Sequence, residues 1–220
     1  MLWPLKENGQ KRLKKPKLRK KFIYLISPNK IKDELLFYLN LRKIFKTKKI
    51  SFFQLRLKKQ SLKKKISIGK KILKICKKNK VKFIVNDNPL LAKKLMADGC
   101  HLGQKDMDFS SAKKILGNKI IGISCYNSKQ LIKEGIKNKV SYIALGAFFP
   151  TKTKKVKYKA SIKILNWAKK TTNIPIVAIG GIKFENYKKL LLNKANFLAI
   201  SSYIWNNKIY KPLEAIKRIK

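Results

Sequence analysis

Short, continuous apolar runs alternate along this chain with longer segments in which apolar residues recur every three or four positions. The short runs predict eight strands, at Phe22–Ile26, Ile50–Leu55, Lys82–Asn86, Gly99–Leu102, Lys119–Ser124, Tyr142–Leu145, Ile174–Ile179 and Phe197–Ile200. The longer segments have a helical period and predict helices at Asp33–Phe45, Ser61–Lys78, Pro89–Met96, Ser110–Leu116 (with Ser110 as its N-cap), Ser128–Ile136, Ala160–Lys170, Phe184–Leu192 and Leu213–Ile219. Runs that are apolar throughout indicate strands buried on both faces, as in a parallel sheet.

Eight strand-then-helix units without a long linker predict a (β/α)8 TIM barrel, an α/β fold slightly below its usual ~250 residues. A doubly wound open sheet is the alternative. Residues 21–220 are therefore predicted to form a single barrel domain. Residues 1–20 contain two prolines, a run of lysine and arginine and no apolar period, which predicts a basic flexible N-terminal arm. In a barrel, the chemistry lies where the strands end at their C-termini.

The charge balance is strongly basic, because the 220 residues include 56 lysines and arginines but only 10 acidic residues. An apolar content of 45% still supports a folded core. Only five of the basic residues are arginines, and lysine is spread along every predicted helix. This is a chain-wide bias and not the clustered footprint of a specific nucleic-acid binder. A basic nucleic-acid-binding protein remains a competing hypothesis, but the positive potential also favours small anionic substrates.

The cysteine count and the lack of long apolar runs indicate the compartment. Three cysteines without CxxC spacing argue against a disulfide framework or a zinc site and favour a reducing compartment. No apolar run approaches the roughly 18 residues of a membrane span. The N-terminus has no apolar signal segment, so we expect a cytoplasmic protein that does not bind a membrane.

The residues that end the second strand are suited to binding an anion. Strand alternation places Gln54, Arg56 and Lys58 on the side of the barrel mouth, while Leu55 and Leu57 point outward. An arginine fork next to a lysine and an amide can hold a diphosphate. The alternative is that the strand end frays into solvent.

Two of the ten carboxylates follow adjacent strands, Asp87 after the third and Asp106 after the fourth. Two aspartates at a basic, phosphate-binding mouth fit a Mg2+ ion placed between them and the phosphates. Without a metal they would form salt bridges with Arg56 and Lys58. His101, the single histidine, is assigned no role.

A loop after the sixth strand contains Thr151, Thr153 and Lys154, which could converge on a phosphate. The alternative is a solvated lysine-rich loop. Gly181 follows the seventh strand and Ser201 the eighth, the positions of a phosphate site common in such barrels. One anion site with carboxylates and another without them imply two phosphorylated substrates, one of them bound through a metal.

These motifs together resemble the thiamine-phosphate synthase family, which also includes thiazole tautomerases. The resemblance rests on Gln54–Lys58, Val85–Asp87, Asp98–Asp106, Ile121–Ser124, Phe149–Lys154, Ala178–Ile182 and Ala199–Ser201, in the family's order. It implies a (β/α)8 transferase that joins hydroxymethylpyrimidine diphosphate to thiazole phosphate, forming thiamine phosphate and releasing diphosphate.

The resemblance also implies a role for each matching residue. Asp87 and Asp106 would hold Mg2+. The pyrimidine diphosphate would be bound by Gln54, Arg56, Lys58, Asn86 and Lys154. The thiazole phosphate would be bound by Ser124, Thr151, Thr153, Gly181, Ile200 and Ser201.

The chemistry implied by the resemblance needs no protein nucleophile or general base. Diphosphate leaves a carbon that the aminopyrimidine stabilises, so a dissociative path is reasonable. Arg56, Lys58 and Lys154 would act catalytically by neutralising the leaving group together with Mg2+. Asp98 and Asn88 are nearby polar alternatives to the named site residues. A thiazole tautomerase of the same fold is the second hypothesis. Assembly into a homo-oligomer is an open alternative to a monomer.

Overall fold

The computed structural model describes residues 21–151 and 159–220, which form a closed barrel of eight parallel strands. The strands are β1 (Ile23–Ile26), β2 (Ile50–Leu55), β3 (Lys82–Asn86), β4 (Gly99–Leu102), β5 (Ile120–Tyr126), β6 (Tyr142–Gly146), β7 (Ile176–Ile179) and β8 (Phe197–Ile200). Each strand pairs with the next, and β8 pairs with β1. The predicted TIM barrel is confirmed, and the closed strand order excludes the open sheet.

A helix follows each strand on the outside of the barrel. The helices are α1 (Glu34–Lys46), α2 (Leu62–Lys78), α3 (Pro89–Lys94), α4 (Phe109–Leu116), α5 (Lys129–Lys137), α6 (Ile162–Thr171), α7 (Tyr187–Leu192), α8 (Ser202–Trp205) and α9 (Pro212–Arg218). The short helix α8 was not predicted. The N-cap prediction for α4 was wrong, because Asp108 and not Ser110 caps it, accepting from the Ser111 backbone N–H at 2.9 Å.

Apolar side chains form two layers, one between the strands and the helices and a smaller one inside the barrel. The inner layer consists of Tyr24, Ile26, Ile84, Tyr142, Ala144, Val177 and Ala199. Gly122 on β5 makes room for the Tyr142 ring, since a Cβ at that glycine would lie 1.9 Å from the ring. The inside of the barrel is therefore filled, and its mouth is the place left for ligands.

The C-terminal helices are tied to the first two strands by hydrogen bonds at both ends of the barrel. Beyond the strands, the Trp205 indole N–H donates to the Ile26 carbonyl at 2.7 Å. At the opposite end of the barrel, the Lys49 ammonium donates to the carbonyls of Ile216, Lys217 and Ile219 at 3.3, 3.0 and 2.6 Å. Lys49 thereby caps the last turn of α9, where carbonyls lack helical partners.

Cys76, Cys100 and Cys125 are buried and free. Of the helices within residues 21–151 and 159–220, none is long and apolar enough to cross a lipid bilayer.

Candidate active site

The end of β2 turns its polar side chains toward the mouth, as alternation predicted. Gln54 is 3% exposed, and its amide donates to the Tyr24 hydroxyl at 3.1 Å inside the barrel. Leu55 and Leu57 pack in the outer layer. The Arg56 guanidinium donates to the side chain of Asn29. Burial lowers the pKa of Arg56 and nearby Asp87 opposes this, so the guanidinium is held partly dehydrated next to a carboxylate.

Asp87 is aimed at the mouth by the turn that follows β3. Its backbone has a φ of +63°, and its N–H donates to the His101 carbonyl at 2.8 Å. The carboxylate pairs with the Lys58 ammonium at 3.0 Å. Lys58 therefore makes the salt bridge that was considered as the alternative to metal binding.

Asp106 lies against Asp87 from the next strand connection. Its Oδ2 accepts from the Gly103 backbone N–H at 2.6 Å, and the two carboxyl groups are close enough for each to shift the pKa of the other. Burial alone would raise the pKa of Asp87, but Asp106 and Lys58 outweigh it and lower that pKa. Burial and the Asp87 carboxylate raise the pKa of Asp106. The two pKa values therefore shift in opposite directions, because the two carboxyl groups repel each other when both are ionised.

This carboxyl pair fits a Mg2+ site. A cation between the two groups would remove their repulsion. Magnesium is usually held by one or two carboxylates, with substrate phosphates and waters as the other ligands. In the part of the chain that the structure describes, no group of three or more His, Cys, Asp and Glu side chains could hold a metal. The donor set is thus suited to a metal that arrives with a phosphorylated ligand.

A cavity of about 290 Å³ opens beside the carboxyl pair. Its lining includes Arg56, Lys58, Asn86 and Asp87, all of which were predicted to bind the diphosphate or its metal. Lys65 from the first turns of α2 also lines it. Residue type alone does not single out Lys65, because it belongs to a run of three lysines, Lys63 to Lys65, at the start of that helix.

A second cavity of about 590 Å³ lies over the ends of β7, β8 and β1. It brings together Thr151, Gly181 and Ser201, which were predicted to bind one phosphate. Gly181 has a φ of +62°, and a Cβ there would lie 2.3 Å from the Pro150 carbonyl oxygen. Only glycine therefore lets this turn approach the loop after β6.

The second cavity has cationic and amide side chains that the sequence analysis missed. They are Asn29, Lys30, Lys183, Asn206 and Asn207. Lys30 and Lys183 could not be separated by residue type from the many surface lysines. The asparagines at 206 and 207 follow the unpredicted α8, so no predicted strand end pointed to them.

The remaining predicted residues are placed differently. Ile200 is 2% exposed and packs in the outer layer, so that only its backbone can face a ligand. Ser124 is not among the described residues that line the second cavity. Its hydroxyl lies 2.9 Å from His101 Nε2. Thr153 and Lys154, like the N-terminal arm, lie outside the described residues.

Asp98 and Asn88, the polar alternatives to the named site residues, have local structural roles. Asp98 lies at the start of β4, where it accepts from the Phe83 backbone N–H at 2.8 Å and pairs with Lys82 at 2.9 Å. Asn88 caps α3, accepting from the Leu91 N–H at 2.8 Å. Asp87 and Asp106 are thus the carboxylates at this part of the mouth that contact each other.

A closed parallel barrel with cationic and hydroxyl side chains at the strand ends defines a TIM-barrel enzyme. Residues 23–204 match the sequence profile of the thiamine monophosphate synthase family. The chain is 65% identical over 208 residues to the thiamine-phosphate synthase of Pelagibacter ubique (strain HTCC1062), covering 94% of this chain and 100% of that protein. It is 39% identical over 158 residues to that of Nitrosomonas eutropha (strain DSM 101675 / C91 / Nm57), covering 71% and 74%.

The fold comparison agrees. The solved structure of thiamine phosphate pyrophosphorylase from Pyrococcus furiosus superposes with a TM-score of 0.79 at 26% identity, covering 91% of this chain and 94% of that one. This chain belongs to the thiamine monophosphate synthase family. The expected activity, a transferase that forms thiamine phosphate, is confirmed with it.

Proposed function

We propose that the two cavities at the barrel mouth divide the two substrates of this synthase between them. Hydroxymethylpyrimidine diphosphate binds at the carboxyl-lined cavity, and thiazole phosphate binds at the cavity over β7, β8 and β1. The observation that carries this proposal is the asymmetry of charge. Asp87 lines the first cavity with Asp106 next to it, and neither carboxylate lines the second cavity, so only the first is suited to an anion that brings a divalent cation.

On the diphosphate side, Arg56 and Lys58 bind phosphate oxygens and Asn86 adds an amide. Lys58 now pairs with Asp87, and a bound metal would release its ammonium toward the ligand. Gln54 lies deeper in the barrel, where its amide meets the pyrimidine. Lys154 contributes a further cation from the loop after β6. Asp87 and Asp106 would hold Mg2+, which would supply positive charge to stabilise the departing diphosphate.

On the thiazole side, Thr151 donates a hydroxyl hydrogen bond to the phosphate and Thr153 adds another, and Ser201 turns its hydroxyl from the Ser27 carbonyl to the bound phosphate. Gly181 and the backbone of Ile200 provide a surface without side chains, which lets the anion approach N–H groups. Ser124, at the end of β5, contacts the body of a substrate. Lys30 and Lys183 line the same cavity and add positive charge.

The reaction needs the two substrates in line. The bond from the pyrimidine methylene carbon to the diphosphate oxygen breaks with its electron pair going to diphosphate. The thiazole nitrogen supplies the electron pair of the new carbon–nitrogen bond. The aminopyrimidine stabilises the developing cation, which makes the path dissociative. The protein's work is to position both partners and to balance charge, so it needs no nucleophile or general base.

The test is a two-substrate assay with purified protein. We expect thiamine phosphate and diphosphate in equal amounts only when both substrates and Mg2+ are present. Omitting Mg2+ and adding a chelator should abolish turnover. Product formation at an unchanged rate without any divalent cation would contradict the metal assignment while leaving the activity in place.

The competing hypotheses give different results in simple experiments. A tautomerase would convert a thiazole carboxylate phosphate without any pyrimidine substrate, and we expect no such turnover. A specific nucleic-acid binder would hold its target at ~200 mM salt, where lysine-driven attraction fades. We expect binding to duplex DNA or RNA to be lost there, and we expect catalysis to persist when residues 1–20 are removed.

A further inference from the structure

A chain of hydrogen bonds crosses the inside of the barrel from β2 to β5. Gln54 Nε2 donates to the Tyr24 hydroxyl at 3.1 Å, the Tyr24 and Tyr142 hydroxyls lie 2.8 Å apart, and Tyr142 lies 3.0 Å from His101 Nδ1. His101 Nε2 then lies 2.9 Å from the Ser124 hydroxyl. Tyr24, Gln54 and Tyr142 are 1%, 3% and 2% exposed. Burying polar groups this deeply costs free energy unless they are hydrogen-bonded to one another. A buried hydrogen-bonded network of this length therefore indicates a specific role.

The direction of this chain follows from its first bond. Each tyrosine hydroxyl has one proton, and burial raises the pKa of both, so both stay protonated. Tyr24 accepts from Gln54, and within this chain of hydrogen bonds its own buried proton has an acceptor only if it goes to Tyr142. The Tyr142 proton then goes to His101 Nδ1. This arrangement places an imidazole proton on Nε2, from which His101 donates to Ser124.

The last bond determines what Ser124 offers to a ligand. Its hydroxyl accepts from His101, so its own proton is free to point to an acceptor at the mouth. The residue is also held through its backbone, because Gln104 Nε2 donates to the Ser124 carbonyl at 2.5 Å. Ser124 is thus presented as an oriented hydrogen-bond donor.

We propose that His101, set as the Nε2–H tautomer by Gln54 through Tyr24 and Tyr142, is a positioning residue that makes Ser124 a hydrogen-bond donor to the substrate. The expected effect on turnover rests on the proposed function, whereas the expected tautomer of His101 rests on the hydrogen bonds alone. The relay joins Gln54, placed at the pyrimidine, to Ser124 on the far side of the mouth. This buried path determines, at both of its ends, which group donates a hydrogen bond and which group accepts it.

The aromatic rings are fixed independently of their hydroxyls. Tyr142 stacks on the His101 ring with centroids 5.7 Å apart and planes 8° apart, and it meets Tyr24 edge-on at 5.7 Å. Gly122 leaves no space for this ring to move toward β5. Replacing Tyr142 by Phe therefore removes one relay hydroxyl and keeps the packing. The matched control is Tyr187→Phe, a fully buried tyrosine outside the barrel whose hydroxyl donates to the Lys220 carbonyl at 2.8 Å.

The experiment uses the fact that this chain has a single histidine. The full-length protein is labelled with 15N-histidine, and the two ring nitrogen shifts are read without substrate. We expect the Nε2–H tautomer in the wild type and in Tyr187→Phe, and a tautomer mixture in Tyr142→Phe. In the two-substrate assay we expect kcat to fall about tenfold in Tyr142→Phe, the loss of one oriented hydrogen bond, and to stay unchanged in Tyr187→Phe.

A second pair of variants separates positioning from packing. His101→Gln places an amide donor near Ser124 and should retain more turnover than His101→Leu at equal thermal stability. An Nδ1–H tautomer in the wild type would overturn the proposal, as would Tyr142→Phe with wild-type shifts and kcat. A wild type without synthase activity would overturn the proposed function and leave the tautomer result standing.

Discussion

Ser201 and Ser27 are hydrogen-bonded across the seam that closes the barrel. The Ser201 hydroxyl donates to the Ser27 carbonyl at 3.2 Å, and the Ser27 hydroxyl accepts from the Arg56 backbone N–H at 2.8 Å. Ser27 thereby links the strand end at one cavity to the strand end at the other. The proposed phosphate and diphosphate sites share one rigid support.

Ser201→Ala should weaken thiazole phosphate binding more than diphosphate binding. We expect KM for thiazole phosphate to rise about tenfold, since a hydrogen bond to a charged group contributes about 1.5–3 kcal/mol. KM for the pyrimidine diphosphate should change less than threefold, because Ser201 does not contact that substrate in the proposed arrangement. Steady-state kinetics with each substrate varied provides the measurement. Ser51→Ala is the control, because it loses a hydroxyl bond to the Lys21 carbonyl at the other end of the barrel.

Asp106→Asn should reduce the affinity for Mg2+ without unfolding the protein. The amide oxygen can still accept from the Gly103 N–H, but one negative charge is lost. We expect the Mg2+ concentration for half-maximal rate to rise at least tenfold, which corresponds to about 1.4 kcal/mol. Asp98→Asn removes a carboxylate at the start of β4 and should leave the Mg2+ dependence unchanged. An equal shift in both variants would argue for general electrostatics.

Arg56→Lys should impair the use of the pyrimidine diphosphate although it keeps the charge. A lysine lacks the planar fork that reaches both Asn29 and a phosphate. We expect kcat/KM for this substrate to fall by about 10- to 100-fold, a loss of about 1.4–2.7 kcal/mol. Arg42→Lys, on the exposed face of α1, is the matched control. A wild-type kcat/KM in Arg56→Lys would remove Arg56 from the diphosphate site.

Lys49→Met should destabilise the fold without affecting catalysis. The variant keeps a long apolar stem but leaves the carbonyls at the end of α9 without their ammonium donor. We expect the free energy of unfolding in urea to fall by about 1–2 kcal/mol. Lys43→Met, on exposed α1, should change it by less than about 0.5 kcal/mol. Unchanged stability in Lys49→Met would show that water satisfies these carbonyls equally well.

Much of the barrel was readable from the sequence, because strands buried on both faces are continuous apolar runs. β2, β3, β4 and β8 have the predicted bounds. The first residue of a helix is harder to predict where two capping residues compete, as Asp108 and Ser110 do at α4. Phe109 packs against the core and extends α4 toward Asp108. The four-residue α8 is too short to show a period, and it is held by the Trp205 bond to β1.

The site was predicted where chemistry follows directly from a strand end. Arg56, Lys58, Asn86 and Asp87 line one cavity as expected. His101 was left without a role because its partners are distant in sequence. Tyr142 is 41 residues away from it, and Tyr24 and Tyr142 are separated by 118 residues. Only the closed strand order brings such side chains to one level of the barrel.

The contact between Gly122 and Tyr142 also constrains how the sequence can change in evolution. A side chain at 122 would collide with the ring, and a smaller residue at 142 would leave a void and remove a hydroxyl from the buried relay. Either substitution alone is therefore disfavoured, and only a simultaneous exchange preserves the packed volume. These two positions should vary together among homologues, with glycine at one wherever a large aromatic residue stands at the other.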